Sequence, residues 1–406
     1  MPGVFRHGTD WPRMNAPRRA PRAQALPAQP FFAGAPARAA LARERFFADG
    51  QRPTGLVSES VIQSWQRCLA ARRATPERLA FEPVTPSRRH SALQRGRPVL
   101  AAAETVMPRL EQVLAATTAR ALLCDAEGVV VRATPRHGGG GAQPVLTLAA
   151  RVGVDLSEHA VGTTAPGIVL HGGQACSVSR GEHFFDICGG LSCAAAPIRD
   201  RHGRLAGVLD LTVEGQEFGF DAAALVGLYA GAIENALLEA PDGDCLVLRF
   251  QADPLLLGTP LQGLAGVDGR GTLRWINEVG RRLLGLPAAG AAPGTLAASA
   301  LFGLDTAALL SCGAQRAAQP VRLANGLVVW LQSSLQLQRG AGSSPPPAAT
   351  APPPPQEPEP TLAEHDHRLV LETLRRCGGN VSRAARTLGV SRGLLYRRLA
   401  ALRAAG

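Results

Sequence analysis

The residues with most capacity for chemistry form a short acid, histidine and cysteine cluster in the middle of the chain. Glu182 and His183 lie between Cys176 and the pair Cys188 and Cys193. Thiolates and imidazoles bind zinc, but this spacing matches no common zinc pattern, and none of the eight cysteines forms a CxxC pair. We therefore favour buried, pocket-lining thiols over a metal site, and expect neither a metal nor a cofactor.

Other catalytic signatures are missing from the sequence. His365, Asp366 and His367 look like a ligand cluster, but they lie where a helix begins and are more simply a solvated helix start. There is no G-x-S-x-G, no H-E-x-x-H and no lysine, which excludes a P-loop lysine and a Schiff-base nucleophile. We predict no catalytic residue and no enzyme, with a thiol enzyme using Cys188 or Cys193 as a rival hypothesis.

Positive charge lies at both ends of the chain. The net charge is +11 in residues 1–100, −6 in residues 101–360 and +6 in residues 361–406. Basic ends fit contact with a polyanion, although an arginine-rich chain without lysine also fits a base-composition bias in the gene. There is no continuous apolar run long enough for a membrane span and no signal-peptide pattern, so we expect a cytoplasmic protein without membrane contact.

The elements that must position these residues fall into an α+β arrangement. We expect a disordered basic tail in residues 1–40 and a helical segment in residues 41–120. That segment has one helix beginning at Ser58 and one long helix over 88–118. Two α+β units should follow over residues 121–240 and 241–339, each an antiparallel sheet with turn signals such as Asp200–Gly203 and Asp268–Gly271.

A proline-rich linker, residues 340–360, separates these units from an all-α tail, residues 361–406. In the tail, Gly378 and Gly379 end a first helix, Asn380 caps a second, and Gly389 turns into a third helix that Ser391 caps. Two short helices joined by a glycine turn, the second rich in arginine, are typical of a DNA-binding helix-turn-helix. A three-helix bundle with a solvated basic face is the alternative.

The tail segment GGNVSRAARTLGVSRGLLYRRL resembles the helix-turn-helix of the Fis family, which closes enhancer-binding activators. The resemblance implies binding to double-stranded DNA. The residues implied to contact DNA are Asn380, Ser382, Ser391, Arg392, Tyr396, Arg397 and Arg398. Leu394 stands where the family usually has threonine.

Further segments resemble activators of the acetoin-catabolism type. VIQSWQRC at 61–68 is similar to their N-terminal signature, and VGVDLSEHAVGTTAPGIVL with GEHFFDICGGLSCAAAPIRDRHGRLAGVLDLT is similar to their GAF sensor domain. Thr164 replaces the usual asparagine, and residues 264–286 resemble a PAS-type segment. We expect residues 121–240 to form a GAF-like sensor and residues 241–339 a PAS-like unit. The effector-pocket residues we predict are Thr163, Glu182, His183 and Cys193.

Such activators carry an ATPase domain between sensor and helix-turn-helix, but this sequence has no GxxxxGK[ST] and no GAFTGA loop there. We therefore predict an effector-responsive transcription regulator without ATPase activity. Its expected partners are DNA, an unknown small effector, a second copy of the chain, and RNA polymerase or a full-length activator. The alternative is an interaction protein that modulates a full-length activator by heterodimerisation.

Overall fold

The computed structural model describes residues 34–136, 141–241, 243–287, 294–314 and 317–337. In the tail it describes four residues only: Thr373, Arg383, Arg386 and Thr387. The chain divides into two compact units, residues 1–338 and residues 339–406. The predicted linker 340–360 and most of the glycine-rich loop at 137–143 lie outside the described residues.

The N-terminal segment is helical, with two corrections to the prediction. Helix α1 covers Ala35–Arg43 and continues into the π-helical turn Glu44–Ala48, so the segment expected to be disordered through residue 40 is already helical at residue 35. Helix α2 covers Glu59–Ala70, and Ser58 caps it by accepting a hydrogen bond from the Val61 amide, as predicted.

The single long helix predicted over 88–118 is wrong, because the chain forms three short helices there. These are α3 (Pro86–Arg95), α4 (Arg97–Ala103) and α5 (Met107–Leu114). Pro98 and Pro108 each lie in the first turn of the helix that follows a break. Proline lacks the amide hydrogen needed inside a helix but fits its first turn, so the apolar period continues while the helix axis does not.

Strands β1 to β5 form one antiparallel sheet in the order β2-β1-β5-β4-β3. The strands are β1 (Arg120–Asp125), β2 (Val130–Ala133), β3 (Cys176–Ser179), β4 (Leu191–Arg199) and β5 (Leu205–Glu214). Between β2 and β3 lie the short helices α6 (Pro144–Ala149), α7 (Glu158–Val161) and α8 (Ala165–Gly172). The predicted hairpin around Asp200–Gly203 joins β4 to β5.

Three hairpins close with the same Asp-x-x-Gly turn, at Asp125–Gly128, Asp200–Gly203 and Asp268–Gly271. In each, the aspartate Oδ1 accepts backbone amides two and four residues further on, at 2.8–3.0 Å. The closing glycine has a positive φ of 91°, 73° and 78° respectively, which L side chains rarely adopt. This turn chemistry explains why the hairpins could be placed from sequence.

Helix α9 (Ala222–Glu239) and helices α3 to α5 pack on one face of this sheet, and α2, α6, α7 and α8 pack on the other. By length and composition, α9 is the helix among the described residues that would also suit a membrane span. Its Val226, Ala230 and Ile233 are buried against the sheet, which is the arrangement of a core helix.

A second antiparallel sheet has the order β8-β7-β6-β10-β9. Its strands are β6 (Cys245–Gln251), β7 (Gly263–Val267), β8 (Leu273–Ile276), β9 (Gln319–Arg322) and β10 (Val328–Gln336). Its helices are α10 (Glu278–Leu283), α11 (Ala298–Phe302) and α12 (Thr306–Ala314). Two antiparallel sheets flanked by helices confirm the α+β fold class.

Candidate functional site

A small enclosed cavity lies under the face of the first sheet that α6 and α8 cover. Its volume is about 20 Å³, which is room for one water molecule. Most lining side chains are apolar, among them Leu122, Leu146 and Leu156. The polar residues that line it are Thr164, Cys188, Cys193, Asp210 and Thr212. An apolar lining with a few converging polar groups is typical of small-molecule sites, but this cavity has a far smaller volume than such sites.

Of the four predicted pocket residues, Cys193 lines this cavity, and Thr163, Glu182 and His183 do not. Thr163 is fully buried and its hydroxyl lies 2.7 Å from the Ser64 hydroxyl of α2. Glu182 caps a short 3-10 turn by accepting the Ser179 amide at 2.8 Å. His183 is buried next to Cys193.

The segment that carries Thr163 needs its glycine. Gly162 has φ +67°, and a Cβ there would lie 2.7 Å from the Phe185 ring. Thr164, which replaces the asparagine usual in the resembling activators, caps α8 by accepting the Gly167 amide at 3.2 Å. Since threonine and asparagine can both cap a helix this way, the replacement preserves the local structure.

His183 and Cys193 form a hydrogen-bonded pair that the sequence spacing did not reveal. His183 Nδ1 donates to the Arg180 carbonyl at 2.9 Å, which leaves Nε2 to accept the Cys193 thiol at 3.5 Å. Burial lowers the pKa of His183 to about 4 and raises the pKa of Cys193 well above its usual value. Both groups are neutral at pH 7, so the pair supplies no thiolate and does not resemble an activated nucleophile.

The α1 and α2 helices hold the segment 180–188 against the sheet. Arg43 donates to the His183 carbonyl and to the Asp186 carboxylate, each at 2.6 Å. Trp65 is fully buried, and its indole donates to the Glu182 carbonyl at 2.8 Å. Because Cys188 of this segment lines the cavity, these contacts fix one of the cavity walls.

Asp210 is the cavity residue that sequence reasoning missed. It lies on β5 opposite Leu122 of β1 and Ala195 of β4, and is 1% exposed. Burial raises the pKa of Asp210 to about 7, and the hydrogen bond from Thr212 opposes that rise. A lone acid inside the apolar strand Leu205–Glu214 was the available signal.

A buried polar cluster joins α9 to the second sheet. Asn277 donates to Asn235 Oδ1 at 2.8 Å and to the Gln262 carbonyl at 2.9 Å. Its Oδ1 accepts the amides of Leu264 and Gly280 at 2.9 and 2.8 Å. Glu234 of α9 accepts the Arg199 amide at the end of β4, which extends the contact to the first sheet. The cluster therefore connects the cavity-bearing sheet, α9 and the second sheet.

A wider groove between α5 and α9 is less suited to a small effector. Its volume is about 470 Å³, and apolar side chains such as Val113, Phe220 and Leu228 line it. Thr117 and Asp221 are the polar residues along it. A ligand there would find few groups to fix its orientation, whereas the Asp210 carboxyl lines the much smaller cavity of the first sheet.

The predicted DNA-contacting residues lie outside the described residues. These are Asn380, Ser382, Ser391, Arg392, Tyr396, Arg397 and Arg398. Within the described part of the tail, Thr373 is helical and buried, while Arg383, Arg386 and Thr387 are helical and exposed. Among the described residues, no group of three or more His, Cys, Asp or Glu side chains is placed to hold a metal ion.

Two family models match this chain. Residues 35–227 match the model described as "MimR, N-terminal domain", and residues 361–402 match "Bacterial regulatory protein, Fis family". Both matches fall on segments for which the sequence already indicated a sensor and a helix-turn-helix. The resemblance to regulators of the acetoin-catabolism type is thereby confirmed.

The chain is similar to several curated regulators. It is 29% identical over 244 residues to the acetoin catabolism regulatory protein of Cupriavidus necator, covering 56% of this chain and 35% of that protein. It is 30% identical over 180 residues to the acetoin dehydrogenase operon transcriptional activator AcoR of Bacillus subtilis and to the propane 2-monooxygenase operon transcriptional activator MimR of Mycolicibacterium goodii. Each match covers 42% of this chain and 28% of the relative. The chain thus spans about a third or less of these relatives.

Among solved structures, the chain is similar to that of the Escherichia coli DhaR(N)–DhaL complex. The TM-score is 0.40 at 18% identity, covering 69% of this chain and 99% of that one.

Proposed function

We propose that this chain is an effector-responsive, sequence-specific transcription regulator that binds DNA through residues 361–406. The observation that carries the proposal is the presence, in one chain, of a MimR-type N-terminal domain at 35–227 and a Fis-type helix-turn-helix at 361–402. A sensor joined to a DNA-binding module lets a ligand change gene expression through a change in the affinity for DNA.

The domain assignment belongs to the proposal. The chain begins with a basic tail (1–40, shortened by α1), a helical N-terminal segment (41–120) and a GAF-like sensor (121–240). A PAS-like domain (241–339), a proline-rich linker (340–360) and the DNA-binding domain (361–406) follow. The small effector binds in the cavity of the first sheet, near the predicted residues Thr163, Glu182, His183 and Cys193.

The chain acts as a homodimer in the cytoplasm. One helix-turn-helix buries little DNA surface, whereas two of them can read the halves of a palindromic site. Arg392, Arg397 and Arg398 neutralise phosphates or read guanine edges, and the other predicted contacts position the recognition helix. The protein is not an enzyme in this proposal.

The mode of action does not use ATP. Between residues 227 and 361 the chain has neither GxxxxGK[ST] nor any lysine, so the phosphate-binding loop of an enhancer-binding ATPase is missing there. The regulator then acts by contact with RNA polymerase or by occupying its site. The same observation favours a second candidate function, in which the chain pairs with a full-length activator and reduces its activity.

Genome-wide DNA occupancy of the intact protein tests the proposal, with the Arg392→Ala, Arg397→Ala double variant measured alongside. We expect discrete palindromic sites that the variant loses. The matched control is Arg383→Ala with Arg386→Ala, which removes the same charge from exposed positions of the preceding helix. The control should retain most sites if position, and not total charge, determines binding.

Occupancy that is absent for the intact protein, or that is unchanged in the Arg392 and Arg397 variant, would contradict DNA binding through this tail. Regulation that survives the double substitution, together with co-purification of a full-length activator, would favour the heterodimer. Loss of sites in both double variants alike would mean that binding depends on charge alone.

A further inference from the structure

The cavity of the first sheet contains an acceptor atom without a donor. Asp210 Oδ2 accepts a hydrogen bond from the Thr212 hydroxyl at 2.6 Å. Its Oδ1 is fully buried and has no hydrogen-bond partner among the described residues. Buried polar atoms in native proteins are nearly always hydrogen-bonded, so an unpaired carboxylate oxygen on a cavity wall requires an explanation.

No cation among the described residues compensates this carboxyl. The elements packed around it contribute the thiols of Cys124, Cys176 and Cys193, on β1, β3 and β4, and each of these thiols has its pKa raised by burial and by the Asp210 charge. Cys193 already donates to His183, as described above. The neighbouring strands therefore offer Asp210 apolar or weakly polar groups.

We propose that Asp210 anchors the effector, which is a compact, mainly apolar molecule that donates one hydrogen bond to Asp210 Oδ1 from a hydroxyl or an ammonium group. The leucines of β1 and α6 hold its carbon skeleton. This inference rests on the proposed function, because it assigns a ligand chemistry to the sensor cavity. It implies that the cavity widens around the ligand, since its volume of about 20 Å³ accommodates little more than a water molecule.

A single buried water is the competing occupant. A buried water usually makes about three hydrogen bonds, and the cavity is lined mainly by leucine, alanine, phenylalanine and proline side chains. Thr164 and Thr212 already use their hydroxyls, in the α8 cap and in the bond to Asp210. A water could donate to Asp210 Oδ1 but would find few other hydrogen-bond partners. A ligand with one donor and an apolar skeleton fits both the Asp210 carboxyl and the apolar side chains of the cavity.

The test uses three isosteric probes on the intact chain: propan-2-ol, which donates a hydrogen bond, isopropylammonium, which donates and is charged, and acetone, which only accepts. Saturation-transfer NMR and thermal shifts measure binding. At a pH above the Asp210 pKa of about 7, where the carboxyl is ionised, we expect a donor probe to bind about tenfold or more tightly than acetone, the effect of a hydrogen bond to a charged group. A pH titration separates the donors, because ammonium binding should rise steeply as Asp210 ionises near pH 7 and hydroxyl binding much less.

Two substitutions make the assignment specific. In Asp210→Asn, the side-chain oxygen can keep the Thr212 bond, so the amide nitrogen turns a donor toward the cavity and the preference should shift to acetone. Ser192→Ala is the control, because the Ser192 hydroxyl is also buried and has no partner among the described residues, but it lies on the opposite face of the sheet. It should leave the probe preference unchanged.

Failure of this inference is distinguishable from failure of the proposed function. Equal binding of the three probes, binding of none, or an unchanged preference in Asp210→Asn would overturn the role of Asp210. The cavity would then contain a structural water only. Operator binding by the same preparations is measured in parallel, so a chain that binds DNA but shows no probe preference rejects the ligand assignment alone.

Discussion

At the residue scale, Asp210 shows how a single side chain couples the sensor to pH. Its pKa is about 7 in the folded chain, above the ordinary value of 3.8, because burial disfavours the charged form. The folded state therefore binds a proton more readily than the unfolded state, and stability falls as pH rises from about 4 to 7. His183, with its pKa lowered to about 4, has the opposite dependence between about pH 4 and 6.5.

Asp210→Asn should therefore stabilise the chain at neutral and higher pH. We expect the gain to be absent below about pH 4, to grow through pH 7, and to reach at most roughly 4 kcal/mol, the free energy of a three-unit pKa shift. Urea unfolding of wild type and variant across this pH range measures it, and the difference between the two cancels the contribution of His183. A gain that does not depend on pH would contradict the raised pKa of Asp210.

The residues predicted from sequence and those found at the cavity overlap in Cys193 alone. Histidine and cysteine attract attention because few other side chains bind metals or act as nucleophiles, yet His183 here donates to a backbone carbonyl and accepts a thiol. Asp210 looked like one polar position on an alternating strand. Both faces of β5 are buried because helices distant in sequence cover each of them, and no local pattern contains that information.

At the element scale, hairpins were predictable and helix boundaries less so. The Asp-x-x-Gly turns set the hairpins because their chemistry is local, and Asn277 caps α10 through an equally local hydrogen bond from the Gly280 amide. The long helix over 88–118 failed because apolar periodicity outweighed Pro98 and Pro108 in the prediction. The sequence does not mark the start of strand β6, because its apolar run at Cys245–Gln251 follows α9 without a strong turn signal.

Because Arg43 connects α1 to the segment 180–188, we expect its substitution to lower the stability of the chain. Arg43→Ala removes a charged donor from the His183 carbonyl and from Asp186, and also the guanidinium over the Phe47 ring. We expect a loss of about 2–3 kcal/mol in the free energy of unfolding, together with faster proteolysis within 180–188. Arg43→Lys should recover part of it, because an ammonium group cannot reproduce the fork of donors.

The neighbouring Arg45 is the matched control for this measurement. It is exposed in the turn that follows α1, so Arg45→Ala should change stability by less than about 0.5 kcal/mol. If both substitutions lowered the free energy of unfolding equally, the effect would come from the lost positive charge and not from the contacts of Arg43 with residues 180–188.

A second prediction at this scale concerns Asn277, in the polar cluster between α9 and the second sheet. Asn277→Ala leaves two amides, one carbonyl and Asn235 Oδ1 without their partner in a buried site. We expect a loss of about 2–4 kcal/mol, measured by urea unfolding. Asn325→Ala removes two exposed hydrogen bonds, one to the Leu283 carbonyl and one from the Leu327 amide, and should cost about 1 kcal/mol. A mild Asn277→Ala phenotype would show that the cluster does not join the elements.

At the scale of the whole molecule, charge separates what binds DNA from what does not. Residues 361–406 carry a net charge of +6 and residues 1–100 carry +11, while residues 101–360 carry −6, so the acidic middle opposes DNA and the attraction must come from the basic ends. The composition could indicate this division because charge needs no folded structure to be counted. It could not indicate which arginines reach the bases, since that depends on the orientation of the recognition helix.

Salt dependence tests the tail in the intact protein. Each phosphate contact that is lost should reduce the slope of log affinity against log salt by about 1, so removing Arg392 and Arg397 from both copies of a dimer reduces it by up to about 4. Fluorescence anisotropy on an operator fragment measures the slope. An arginine that reads a base should also relax specificity at one position, whereas a phosphate contact weakens all sequences alike. A slope reduced by about 2 would indicate either one phosphate-contacting arginine per copy or a single bound copy, and an unchanged slope would exclude both arginines from phosphate contacts.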